Sequence, residues 1–188
     1  MTQAVARMLT PRPIVVGALI ALAVVTRLVI HFAPGVIPYN FTPVEALGLF
    51  GGALFTDRRT ALIVPLVAMA LSDLVIGLYP LLPLVYACIA GSVLIGFNLR
   101  RRKSSLSIAI AALSSSTGFF VVTNFGVWAT SGLYPHTMAG LAACYVAGLP
   151  FYPATLAGTL VWSSILFGSY ALLARRWTLL RVDTLAGG

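Results

Sequence analysis

The charges in this chain are almost confined to the gaps between apolar runs, and that pattern limits the fold more than any motif does. The 188 residues include twelve Lys and Arg but only four Asp and Glu. A soluble domain is roughly one quarter charged, because its surface must be hydrated. Here 9% of residues are charged and 60% hydrophobic, with a mean hydropathy of +1.00. So few charges cannot cover a globule of this size, so most of the surface must face lipid. The expected class is an all-α integral membrane protein: one transmembrane domain over residues 1–188, with short tails at 1–12 and 175–188.

The net charge of +8 invites a nucleic-acid reading. The basic residues, however, sit in short clusters between apolar runs, as the positive-inside rule requires, and this argues against a nucleic-acid partner. Arg7 and Arg12 precede the first apolar run, but no small-x-small cleavage site follows. That run is expected to be a retained helix.

Apolar runs broken by charges and turn residues predict six spans, over 13–31, 43–56, 60–79, 83–99, 106–130 and 154–174. Arg7, Arg12, Arg58, Arg59, Arg100, Arg101, Arg102, Lys103, Arg175, Arg176 and Arg181 then fall on one side, and of all the Lys and Arg only Arg27 does not. The opposite loops, 32–41, 80–83 and 131–153, contain none. Both termini are therefore expected in the cytoplasm. Segment 131–153, holding a short helix over 137–149, is too short to cross twice and is expected to form an external or re-entrant hairpin.

The second span is short: at 1.5 Å per residue it covers about 21 Å of a roughly 30 Å core. Its outer end should be recessed and line a cavity. Thr42-Pro43-Val44-Glu45 reads as a capping box, with Thr42 as N-cap and Glu45 closing it.

Helix rise places Arg27, Asp73, Glu45, Tyr86, Cys88 and Trp162 about 18–21 Å from the cytoplasmic ends of their helices. The lone charges thus share a layer in the outer half. A charge at that depth marks a functional site, or an ion pair from Arg27 to Asp73 or Glu45 that ties helices together. Asn40 and Asn124 either bond a polar ligand or serve the backbone. Trp128, Tyr39, Tyr79, Tyr134 and Tyr152 either stack on a planar ligand or form the outer aromatic belt. His31 and His136 lie near the outer surface. Cys144 suits packing. Cys88 is a small hydrophobe, a soft ligand to a metal carried by a substrate, or one half of a disulfide with Cys144. No HExxH, GxSxG, P-loop or paired acidic motif is present, so no enzyme is expected, nor a cofactor of the protein's own.

The runs Asn40-Phe41-Thr42-Pro43-Val44-Glu45-Ala46-Leu47 and Leu49-Phe50-Gly51-Gly52-Ala53 resemble a family of small bacterial membrane proteins. So do Arg27, Ser72-Asp73-Leu74, Thr123-Asn124-Phe125-Gly126-Val127-Trp128 and Cys144-Tyr145-Val146-Ala147-Gly148-Leu149-Pro150-Phe151. These proteins look like the substrate-binding (S) components of energy-coupling-factor (ECF) transporters, and the resemblance covers about residues 27–166. It implies a six-helix S-component fold in the bacterial inner membrane. A vitamin-type micronutrient would bind under loops 32–41, 80–83 and 131–153, contacted by Arg27, Asn40, Glu45, Asp73, Tyr86, Cys88, Asn124, Trp128 and Tyr145. It also implies docking on an ECF coupling subunit and ATPases through small residues of the first helix, here Gly17, Ala18 and Ala21. One type of S component binds cobalamin through a cysteine thiolate on cobalt, and Cys88 would carry that role. The competing expectations are a membrane enzyme acting on a lipid or isoprenoid, and an assembly factor that only packs against other membrane proteins.

Overall fold

The structure, a computed structural model, describes residues 12–176, with side chains described from 13 to 173. Arg7 and Arg181 lie outside the described residues, as do the side chains of Arg12, Arg175 and Arg176 and most of both tails. The described chain is helical, without strands: α1 (Arg12–Phe32), α2 (Val44–Leu54), α3 (Arg58–Ile76), α4 (Leu82–Asn98), α5 (Ser105–Thr130), α6 (Met138–Gly148), a 3-10 turn (Leu149–Phe151) and α7 (Tyr152–Arg176). Four stretches are long and apolar enough to cross a membrane: Pro13–Phe32, Arg58–Ile76, Ser105–Thr130 and Met138–Leu173. The other two expected spans, α2 and α4, are shorter apolar helices.

Local chemistry sets the boundaries. Asp57 accepts the backbone N–H of Arg59 at 3.1 Å and of Thr60 at 2.9 Å, which starts α3. The Thr60 hydroxyl, which donates to the same carboxyl, and then these backbone bonds hold the exposed Asp57 carboxyl below the ordinary aspartate range. The cap is therefore at full strength above that range and weakens as pH falls through the lowered value. Ser104 and Thr137 cap α5 and α6 in the same way. α3 stops at Gly77, whose φ of +112° favours glycine.

α2 is the centre of the bundle. Val44 through Ala53 are buried without a break, and the helix packs against α3, α4, α5 and α7. A helix apolar all round belongs in a core. Its 11 residues rise about 16 Å, so it stops short of a membrane's thickness, as expected from its length. The seam with α4 is made of small residues. A Cβ on Gly52 would strike the Val93 carbonyl and Gly96, and one on Gly96 would meet the backbone of Leu49.

The capping box is not formed. Pro43 is the N-cap, in αR conformation, and no side chain caps the helix. Glu45 instead turns into the bundle, where hydroxyls of other helices reach its carboxyl.

The expected hairpin at 131–153 is also replaced. Gly148, Leu149 and Tyr152 all keep right-handed helical backbone, so α6 runs through the 3-10 turn into α7 without reversing. Contacts step down α5 in order: Cys144 Sγ to the Asn124 carbonyl at 3.3 Å, the Tyr145 hydroxyl to the Val121 carbonyl at 2.8 Å, and Tyr152 with Thr117 at 2.8 Å. Pro150 and Pro153 can sit near this joint because the tight turn tolerates a missing N–H. The continuous apolar stretch is 36 residues long, about 54 Å of helix.

Two measurements test this architecture. Gly52→Leu should lower the melting temperature in detergent by the equivalent of about 1–3 kcal/mol, the usual cost of overpacking. Gly168→Leu, at a position with open space around it, should leave it unchanged. In cells carrying a chain with Cys88 and Cys144 replaced, an impermeant thiol reagent added outside should label Ser131→Cys and not Lys103→Cys. The reverse pattern would invert the orientation.

Candidate functional site

The polar residues expected in one layer resolve into three assemblies. The first joins α1, α3 and α4. Arg27 Nε donates to Ser72 Oγ at 2.6 Å, one terminal nitrogen rests on Met69 Sδ at 3.0 Å, and the other pairs with Asp73 Oδ1. The Tyr86 hydroxyl donates to Asp73 Oδ2 at 3.0 Å. Asp73 is 1% exposed and the Arg27 side chain 15%, so each ion is compensated by its partner rather than by water. Both carboxylate oxygens are occupied, which is the geometry of a tie between helices.

The second assembly surrounds Glu45, in the first turn of α2 and 4% exposed. Its Oε2 accepts from Ser116 Oγ at 2.8 Å, Thr159 Oγ1 at 3.0 Å and Ser115 Oγ at 3.1 Å. Ser115 also meets Ser92 of α4 at 2.7 Å. The one ion pair among the described residues is Arg27–Asp73, so Glu45 is surrounded by neutral hydroxyls.

The third is an open pocket of about 300 Å³ between α5, the α6–α7 rod and the loop that joins α1 to α2. Asn40, Thr123, Asn124 and Thr155 line it with Phe119, Phe120, Phe151 and Tyr152. Asn40 has a φ of +68°, a left-handed conformation that asparagine tolerates better than most residues. Asn124 Nδ2 is fixed on the Phe120 carbonyl at 2.8 Å, with its side-chain oxygen against Gly148; a Cβ at Gly148 would collide with that oxygen.

A further hollow of about 330 Å³ lies between α4 and α5, lined by Cys88, Gly91, Ser92, Ser115 and Gly118 among others. Phe119 borders both cavities. Cys88 therefore lies in a different hollow from Asn40 and Asn124. Cys88 and Cys144 are both free thiols, so the alternative of a disulfide does not hold.

Other expected site residues have structural partners. Trp128 Nε1 donates to the Pro135 carbonyl at 3.0 Å and its ring meets His136. The Tyr145 hydroxyl is spent on Val121. His31 packs edge-on against Phe32. Trp162 Nε1 is buried without a partner. Gly17, Ala18 and Ala21 are exposed on α1.

Sequence reasoning missed Ser92, Ser115, Ser116, Thr155 and Thr159. A signal existed: Thr155, Thr159 and Ser163 recur every fourth residue in an apolar helix, placing hydroxyls on one face. Arg100 was expected only as part of a cytoplasmic cluster. It folds back to donate to the carbonyls of Gly52 at 2.8 Å and Phe55 at 2.7 Å, closing the C-terminus of α2.

A family model described as "Family of unknown function (DUF6580)" matches residues 7–180. No curated protein and no solved structure matches the chain.

The α1–α3 tie predicts a characteristic mutant series. Arg27→Met alone leaves Asp73 buried without its cation and should cost about 3–5 kcal/mol of stability. Adding Asp73→Asn should restore much of that loss. Equal, additive losses in thermal unfolding would show that the two side chains act independently.

Proposed function

The chain belongs to this family, DUF6580, and we propose that it is the substrate-binding subunit of a micronutrient uptake system in the bacterial inner membrane, similar to an ECF S component. The carrying observation is the aromatic and amide-lined pocket at the outer ends of α5 and α7, beside the loop that holds Asn40. It is mostly apolar with a few fixed polar groups, the usual make-up of a small-molecule site. No charged side chain lines it, so it suits a neutral ring compound. The rings of Phe119, Phe120, Phe151 and Tyr152 offer stacking faces, while Asn40, Thr123 and Asn124 offer hydrogen bonds.

The volume bears on the choice of vitamin. About 300 Å³ is at the small end of ligand pockets, which run from roughly 300 to 1,000 Å³. It favours a vitamin of one or two rings over a corrinoid. The position of Cys88 in the other hollow points the same way, leaving its thiol away from this ligand. The exposed Gly17, Ala18 and Ala21 stripe suits docking on a coupling subunit that recruits ATPases, with both termini on the cytoplasmic side. The protein is then a binding subunit, not an enzyme.

A second reading, an assembly factor without a ligand, draws on the closed Arg27–Asp73–Tyr86 network, which needs no solute to neutralise it. A vitamin panel separates the two. One neutral ring vitamin should raise the melting temperature of the purified protein. Asn124→Ala should weaken its binding about threefold to tenfold, the cost of one hydrogen bond. A panel in which no member shifts the transition would favour the assembly reading.

A further inference from the structure

Glu45 raises a question that the pocket does not answer. It is the single glutamate in the chain. It is 4% exposed in a protein surrounded by lipid, and no cation touches it. Burying an ionised carboxylate without a positive partner is expensive. The hydroxyl cluster reduces that cost but brings no charge.

The hydroxyls also form a connected chain. On one side, Ser115 meets Ser92, and Ser92 reaches the Cys88 carbonyl at 3.2 Å. Ser92, Ser115 and Cys88 are in the wall of the α4–α5 hollow. On the other side, the Thr159 hydroxyl reaches the Thr155 carbonyl at 3.0 Å, and Thr155 is in the wall of the outer pocket. The carboxyl thus lies between two open cavities, with a hydroxyl chain toward the α4–α5 hollow and, on the other side, a bond that ends on a carbonyl, which only accepts.

Each hydroxyl has one proton to donate and lone pairs to accept with. Ser115 donates to Glu45 or to Ser92. Ser92 donates to Ser115 or to the Cys88 carbonyl. Thr159 donates to Glu45 or to the Thr155 carbonyl. With Glu45 ionised, the neighbouring hydroxyls turn inward to Oε2. With Glu45 protonated, it donates its own proton to one of them, and that hydroxyl turns to its second acceptor: Ser92 for Ser115, Thr159 for Ser116, the Thr155 carbonyl for Thr159.

We infer that Glu45 is a proton-binding site, loaded and emptied through the Ser115–Ser92 arm that opens on the α4–α5 hollow. The transfer balances along the path. A hydronium ion in the hollow gives a proton to Ser92 and leaves as water. Ser92 passes its own proton to Ser115, and Ser115 passes its own to Glu45 Oε2, with emptying the same steps in reverse. The distances to Oε2, 2.8 to 3.1 Å, are those of hydrogen bonds. Each bond is a hydroxyl donating directly to the carboxyl oxygen, so the exchangeable species in this cluster is a proton. No other ionised side chain competes. α5 and α7 present hydroxyls to Glu45, α4 presents Ser92 and the half-buried Cys88 thiol, and the acid of α3, Asp73, is held by Arg27. One turn beyond Thr159 on α7, the buried Ser163 hydroxyl has no partner. Protonation of Glu45 would reorient Ser115 and Ser92 in the wall of the hollow, and Thr159, whose second acceptor is the carbonyl of the pocket residue Thr155.

The titration needs no vitamin, so it stands or falls apart from the uptake reading. Infrared difference spectra of the whole protein in lipid nanodiscs, without ligand, should show a carboxylic-acid C=O band that disappears reversibly as pH is raised. Feeding glutamate with an isotopically heavy side-chain carboxyl carbon should shift that band, and Glu45 alone can respond. Glu45→Gln should lack the band and keep a melting temperature near wild type, since the amide still accepts from the hydroxyls. Ser92→Ala should slow deuteron exchange into the band without removing it. A band that does not shift with the label, or a Glu45 signal that stays ionised at every pH, would falsify the proposal. Stabilisation by sodium ions in wild type but not in Glu45→Gln would also overturn it, in favour of a metal cation.

Discussion

The bundle is organised around a helix too short to cross the membrane. Both ends of α2 stop inside the protein, where lipid offers no hydrogen bonds for orphan backbone groups. At the C-terminal end, the guanidinium of Arg100 lies over the Phe97 ring at 4.7 Å and donates to two of the last carbonyls. At the N-terminal end, the chain arrives through Asn40 in a left-handed turn, and Pro43, which lacks an N–H, begins the helix. The glycine seam with α4 lets the two backbones approach closely enough for the surrounding helices to enclose α2.

Two buried acids on neighbouring helices are handled in different ways. Asp73 has a fixed cation, and with Ser72 and Tyr86 it locks α1, α3 and α4 into one arrangement. Glu45 has only hydroxyls, each able to turn toward a second acceptor. The first arrangement is neutral as built and leaves no oxygen of Asp73 free. The second has more than one hydrogen-bonding pattern of similar geometry, the kind of arrangement from which a relay can be made. Phe119 stands in the wall of both cavities.

Much of the fold was legible from the chain. Apolar runs bounded by charges located every described helix within a few residues, because a single apolar segment can satisfy its own backbone in lipid only as a helix. Ionisable residues in apolar helices marked Arg27, Asp73 and Glu45. Their grouping was not legible. Helix rise gives depth but not rotation, so three charges at one height read as one site although they face different neighbours. The Thr42–Glu45 spacing fitted a local cap, but the same side chain found hydroxyls on α5 and α7, more than 70 residues away in sequence. The 131–153 segment read as a hairpin on length alone, whereas Leu149–Phe151 keeps a helical path.

What the sequence determined by itself is the solvent, the helical class, the order of the helices and the residues that cannot be left alone at depth. All of these follow from the cost of exposing polar groups to hydrocarbon, which is read residue by residue. What only the tertiary structure decided is which partner each polar group has. That choice depends on the rotation and crossing of helices far apart in the chain, and so on side-chain packing across α2 that no local pattern records.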